Sequence, residues 1–225
     1  MRTFLLFCIA GLISYLLGAI PFGFLVARAQ GVDIRAVGSG NIGATNVLRC
    51  LGRKWGALTL LCDALKGFIP AFVLPPLLCG AFDAEPGDLM PVVCGFMAVA
   101  GHSWPVYLRF KGGKGVATTA GALLGIAPLP LAVGLAAWII VFALSRYVSA
   151  ASITAAVVIP AAAWGLACRP WLPDFNRGCV VPAMLTVLGA LVIARHKANI
   201  KRLLAGTENR FGSGKKYEQK NSGNR

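Results

Sequence analysis

An all-α, polytopic integral membrane protein of about seven transmembrane helices, N-terminus outside and C-terminus in the cytoplasm, is the fold this sequence predicts. Three observations predict it. The 225 residues are 57% hydrophobic and only 13% charged, and the mean hydropathy is +0.71. Apolar runs of membrane-crossing length recur along the chain. The 22 Lys and Arg, against 8 Asp and Glu, collect mostly outside the runs.

The apolar runs fall at 4–27, 55–79, 89–108, 116–144, 149–168 and 179–194, and a span needs roughly 20 residues to cross about 30 Å of hydrocarbon. The first run ends like a signal peptide in Ala27-Arg28-Ala29. Its stretch from Phe4 to Val26 is longer than a signal core, so it reads as a retained anchor. Five Lys/Arg between Arg28 and Lys54 place the downstream side in the cytoplasm. Six spans would put that loop opposite the nine Lys/Arg of 195–225, against the positive-inside bias. Pro128-Leu129-Pro130 resolves the conflict. Prolines remove helical hydrogen bonds and favour a turn, so the run 116–144 divides and the count becomes seven. The first loop, the 109–115 stretch, Arg146 and the tail then share one side, and the acidic link 83–88 falls opposite. The half 116–127 extends roughly 18 Å as helix; it is tilted, set in thinned bilayer, or incompletely crossing. Its small residues, Ala117 through Ala122, suit close helix packing. Residues 1–212 are expected to form one transmembrane catalytic domain, and 213–225 a disordered basic cytoplasmic tail against anionic lipid.

Composition excludes several classes. The positive charge follows the loops of a membrane protein, so nucleic acid is not the expected partner. The seven Cys are odd in number, form no CxxC and lie mostly in apolar runs, which marks buried hydrophobes rather than disulfides. Two isolated histidines, His102 and His196, suggest no metal site, and nothing calls for a cofactor. No Ser-His-Asp or Cys-His arrangement stands out. An HxxxxD signature is absent too, since Tyr107 and Lys201 stand where the Asp would be.

The chemistry sits in three polar clusters. The first loop packs Gly38, Gly40 and Gly43 with Ser39, Asn41, Thr45 and Asn46, and ends at Arg49. Backbone NH groups freed by glycine, with hydroxyls and an Arg fork, suit an anion; a flexible interfacial turn would use the same residues. The second loop carries Lys111, Gly112, Gly113, Lys114 and Gly115, and opens the helix starting near Val116. Its free NH groups and positive dipole end point at a phosphate, with Lys114 as charge partner. As anchors alone, Arg109, Lys111 and Lys114 would flank an aromatic belt of Trp104 and Tyr107. The third cluster runs from Arg195 to Arg202, with His196, Asn199 and Arg202 on one helical face and Glu208 beyond. His196 is a candidate base or hydrogen-bond donor. Asp63 and Lys66, one turn apart in an apolar run, neutralise each other or support the site.

In order and in spacing, GSGNIGATNVLR (38–49), GHSWPVYLRFKGGKGVAT (101–118) and HKANIKRLLAGTE (196–208) resemble the bacterial membrane family of acyl-phosphate:glycerol-3-phosphate acyltransferases. Asp63-Ala64-Leu65-Lys66-Gly67 and Ser145-Arg146-Tyr147-Val148-Ser149 look like family segments as well. The resemblance implies a seven-helix inner-membrane enzyme of phospholipid biosynthesis with a cytoplasmic active site. It would move a fatty acyl group from acyl phosphate to the sn-1 hydroxyl of glycerol 3-phosphate, giving 1-acylglycerol 3-phosphate and phosphate. A peripheral enzyme would supply the acyl phosphate. Acyl phosphate is a mixed anhydride whose leaving group needs charge stabilisation, so no protein nucleophile is required. Lys114 and its loop would bind glycerol 3-phosphate. Ser39, Thr45, Asn46 and Arg49 would steady the donor phosphate, and His196 and Asn199 would complete the site. Whether His196 or the donor phosphate takes the hydroxyl proton stays open. The competing class is a transporter of a phosphorylated metabolite, which predicts inverted repeats and polar groups at the midplane; here the polar signal sits at one interface.

Overall fold

The computed structural model describes residues 2–83, 87, 89–167 and 178–212. Every regular element among them is helical, as expected. Most of the acidic link and the whole tail 213–225 lie outside the described residues.

α1 (Arg2–Ala19) and α2 (Phe22–Ala29) form the first apolar segment. Pro21, which has no NH to give, separates them. The interval that follows is not all loop: α3 (Ala44–Leu51) occupies its second half. This is a correction, with a local cause. Gly43 in extended conformation starts the helix without a side-chain cap, so neither a capping residue nor a long apolar run announces it. α4 (Arg53–Phe68) continues through a single π turn, Ile69–Val73, into α5 (Leu74–Ala81). Pro70 and Pro75 stand at the starts of those two pieces, where missing NH groups cost least. α6 (Leu89–Ser103) ends in a short 3₁₀ turn, Val106–Leu108.

The long run 116–144 does divide, into α7 (Val116–Ile126) and α8 (Pro128–Ser145). The break falls on Ala127, and Pro128 and Pro130 occupy the first turn of α8 rather than a turn of their own. That placement matches the preference of proline for the helix start. α9 (Val148–Ala167) and α10 (Val180–Arg195) follow, and α11 (Lys197–Leu204) departs from α10 at 58°.

Among the described residues, five segments are long and apolar enough to cross a membrane; α10 with α11 makes a bent sixth, and α7 is apolar but short. Eleven residues of helix extend only about 16 Å, roughly half the hydrocarbon thickness. α7 is held by α4 through close backbone contact. A Cβ at Gly67 would strike the Thr118 carbonyl, and one at Gly121 the Ala64 carbonyl. The small-residue stretch thus packs as expected. The largest apolar core joins α6, α7, α9 and α10 through Val99, Leu123, Ala163, Leu185 and Leu188.

A candidate active site at one end of the bundle

The N-terminal ends of α7 and α9, the C-terminal ends of α6 and α10, and both α3 and α11 meet around one cavity of about 380 Å³. Its polar end is lined by Ser39, Asn41, Gly43, Thr45, Asn46 and Arg49 from the first cluster. Lys114 and Gly115 come from the second, and His196, Asn199, Arg202 and Glu208 from the third. Three clusters separated by as much as 169 positions in sequence (39 to 208) therefore form one chamber. Most of its remainder is apolar, running past Leu60, Leu123, Leu131, Leu135, Ile159, Leu185 and Leu188.

Within the first cluster, Asn46 builds rather than binds. Its buried amide accepts from Ser39 N at 2.8 Å. It donates to the carbonyls of Asn41 at 2.9 Å, Val37 at 3.1 Å and Ile34 at 3.2 Å. Asn41 Oδ1 in turn accepts from Gly43 N at 2.8 Å, a local Asx turn. Gly38 has φ +62°, and a Cβ there would strike Asn46 Oδ1, so the turn excludes larger residues. Gly38 and Gly40 shape this turn without lining the cavity.

The second loop is gripped from two sides. Gly113 N donates to His102 O at 3.1 Å, and a Cβ on Gly113 would collide with the His102 ring. From the other side, Arg195 Nε donates to Gly113 O at 3.0 Å and its terminal nitrogen to Gly112 O at 2.9 Å. The same guanidinium lies over Trp104, 5.9 Å from the ring centre. Gly112 and Gly113 thus present carbonyls to Arg195, not NH groups to the cavity, and Lys111 is exposed outside it. Lys114 and Gly115 are the members of that motif that line it. Burial lowers the Lys114 ammonium to about 8, the Arg202, Arg49 and Arg195 cations adding to the effect and Glu208 opposing it.

The third cluster bends where sequence reading drew a single helical face. His196 terminates α10 and precedes α11. Its Nδ1 lies 2.7 Å from Val192 O; a carbonyl only accepts, so Nδ1 carries a proton and Nε2 is the accepting nitrogen of the neutral ring. Glu208 ties the cluster together. It accepts from Asn199 at 2.7 Å, from Arg202 at 2.7 Å and from Ser149 on α9 at 3.0 Å. Burial pushes the Glu208 carboxyl up, but these three donors outweigh it and hold it below the usual range.

Two further buried residues, Asp63 and His102, belong to the chamber. Asp63 lies 2.8 Å from Lys66 Nζ and 3.7 Å from His102 Nδ1, with all three side chains almost wholly buried. Lys66 also donates to Ile20 O at 2.7 Å, a carbonyl at the break between α1 and α2 that accepts from Phe22 N as well. Asp63 and His102 both line the cavity. The charged pair thus stands beside His102, whose carbonyl and ring hold Gly113 of the second loop. His102 carried a signal in its place within the second motif, but its partner lies 39 positions earlier.

The family model for glycerol-3-phosphate acyltransferase matches residues 8–206. The chain belongs to that family. It is 45% identical over 198 residues to the glycerol-3-phosphate acyltransferase of Geotalea daltonii, covering 88% of this chain and 94% of the relative. To that of Aquifex aeolicus it is 44% identical over 200 residues, covering 88% and 95%. A solved integral membrane glycerol 3-phosphate acyltransferase in its glycerol 3-phosphate form superposes with a TM-score of 0.79 at 41% identity, covering 92% of this chain and 96% of that one. Its lysophosphatidic acid form gives 0.77 at 40% identity, covering 92% and 95%. The integral membrane fold and the acyltransferase class expected of the sequence both stand on this family.

Proposed function

We propose that this family member transfers a fatty acyl group from acyl phosphate to the sn-1 hydroxyl of glycerol 3-phosphate, releasing 1-acylglycerol 3-phosphate and phosphate. The observation that carries the reading is the single cavity that joins a cationic end to an apolar one. Both substrates bear phosphate, and one bears a long hydrocarbon chain. Glycerol 3-phosphate sits with its phosphate at Lys114 and the start of α7, where the first-turn NH groups have no intrahelical partner. Ser39, Thr45 and Arg49 face the donor phosphate and stabilise the charge it gathers as it leaves. The acyl tail runs down the apolar part between α7, α8, α9 and α10.

Proton transfer needs no strong protein base in this scheme. The departing phosphate takes the sn-1 hydroxyl proton, and His196 orients the acceptor by accepting at Nε2 from its second hydroxyl. A general base is worth about 10²–10⁴ in rate, so His196→Gln is expected to lower kcat by no more than roughly tenfold. A loss in the general-base range would hand the proton to His196 instead.

The polar end faces the cytoplasm of a bacterial inner membrane, because Arg49, Lys114 and Arg202 line it and Arg195 grips the loop that carries Lys114. A peripheral enzyme on that face delivers the acyl phosphate. The decisive assay gives purified protein labelled glycerol 3-phosphate with palmitoyl phosphate, and separately with palmitoyl-CoA or acyl-carrier protein. Lysophosphatidate from the first donor alone is expected. No product from any donor, with phosphate uptake into vesicles, would point to transport. The same assay on inverted and right-side-out vesicles reads the sidedness, with activity expected only where the cytoplasmic face is exposed.

A further inference from the structure

The hydroxyl side chains deeper in the cavity differ in whether they are in use. Ser149 Oγ donates to Glu208 at 3.0 Å. Ser152 Oγ donates to Val148 O at 2.8 Å and accepts from Trp138 Nε1 at 3.2 Å. Thr119 Oγ1 has no hydrogen-bond partner, although the residue is only 9% exposed. Ser103 and Thr118 are also unpaired, but neither lines the cavity. A buried hydroxyl left unpaired is destabilising, so one that persists against a cavity wall calls for a ligand to complete it.

Its position says which atom. Gly115, Thr119 and Leu123 all line the cavity from α7, and a spacing of four makes them one stripe. Gly115 stands beside Lys114 at the cationic end, and Leu123 begins the apolar part. Thr119 lies between them, one turn or about 6 Å along the axis from Gly115. The three-carbon backbone of glycerol 3-phosphate covers a comparable length. With phosphate above and fatty chain below, the atoms that react lie at the level of Thr119.

We propose that the Thr119 hydroxyl is a catalytic group that donates a hydrogen bond to the acyl carbonyl oxygen and holds it more strongly as that oxygen gains charge. The inference rests on the acyl-transfer reading above. The sn-1 oxygen bonds to the carbonyl carbon, and the bond from that carbon to the bridging phosphate oxygen breaks. The electron pair leaves on phosphate, which also takes the sn-1 proton. Thr119 keeps its own proton throughout.

Thr119→Val retains the shape and removes the donor; Thr119→Ser retains the donor and loses a methyl. The full chain is purified in detergent and assayed with palmitoyl phosphate and glycerol 3-phosphate, alongside its thermal unfolding midpoint. Loss of one such donor is expected to lower kcat of the Val variant about a hundredfold with both KM values within about threefold. The midpoint should hold or rise, because an unpaired buried group has been removed. The Ser variant should keep kcat within about fivefold. Full kcat in the Val variant overturns the proposal. A parallel fall in kcat and midpoint overturns it too, leaving Thr119 a packing residue. If the Val variant does not accumulate, Thr119→Ala is read against Thr119→Ser: equal kcat overturns the proposal, and a gap of about tenfold or more in favour of Ser supports it. Failure of the unmodified chain to make lysophosphatidate would defeat the acyl-transfer reading itself, and with it the role given to Thr119.

Discussion

Lys114→Ala is expected to raise the KM for glycerol 3-phosphate about a hundredfold while leaving the KM for acyl phosphate within about threefold. The side chain lines the cationic end of the cavity and immediately precedes Gly115, whose φ of +78° starts α7. On the proposed reading, the left-handed residue at that point lets the ammonium and the first-turn NH groups address one anion. A charge-assisted hydrogen bond removed from such a site is worth up to about 3 kcal/mol, which sets the hundredfold scale. A normal KM for glycerol 3-phosphate with a raised KM for acyl phosphate would exchange the substrates between the two loops.

A pH dependence follows from the same group. The Lys114 ammonium titrates near 8 rather than in the ordinary lysine range, because burial disfavours its charged form. It is cationic below that value and neutral above it. The kcat/KM for glycerol 3-phosphate, which reports the free enzyme, should therefore fall as pH rises through about 8. Lys114→Arg should move that decline to higher pH, since guanidinium stays charged. An unshifted decline in the Arg variant would assign it to another group.

Asp63→Ala should have the largest effect on stability, about 3–5 kcal/mol, because it strands a buried Lys66 cation. Both side chains are 3% exposed, at 2.8 Å from each other. Removing the Asp63 charge leaves the Lys66 ammonium with the neutral Ile20 carbonyl and the Phe22 ring. Replacing both, as Asp63→Leu with Lys66→Met, removes the desolvated charges together and should recover most of the loss. Unfolding in detergent measures both variants. A single mutant within about 1 kcal/mol of the unmodified chain would show that water reaches Lys66.

What could be read from the sequence was what is encoded locally. Apolar runs of sufficient length marked the helices, and Pro128 with Pro130 marked the division of the longest one. The three polar clusters were visible because Gly, Asn, His and Lys recur together in short stretches between the apolar runs. Their partners were not visible. Asn46 looked like a ligand because an amide suits phosphate, yet four backbone groups of its own loop occupy it. Gly112 and Gly113 looked like NH donors, yet Arg195 takes their carbonyls. Spacing gives a residue type and a distance along the chain, whereas the assignment of each hydrogen bond needs the other strand of contact. Thr119 was read among small packing residues, because nothing in a sequence shows that a hydroxyl lacks a partner.

The cavity that joins a cationic end to a hydrocarbon-lined one also bears on fidelity. Acyl phosphate is a reactive anhydride, and water competes with the sn-1 hydroxyl for its carbonyl. If the fatty chain fills the apolar part and glycerol 3-phosphate the cationic end, as proposed, water must approach through the end that the acceptor occupies. On the proposed reading the acceptor thus serves as its own stopper. Wasteful hydrolysis of the donor would then be governed by how fully the acceptor site is occupied, with no separate lid required to exclude water.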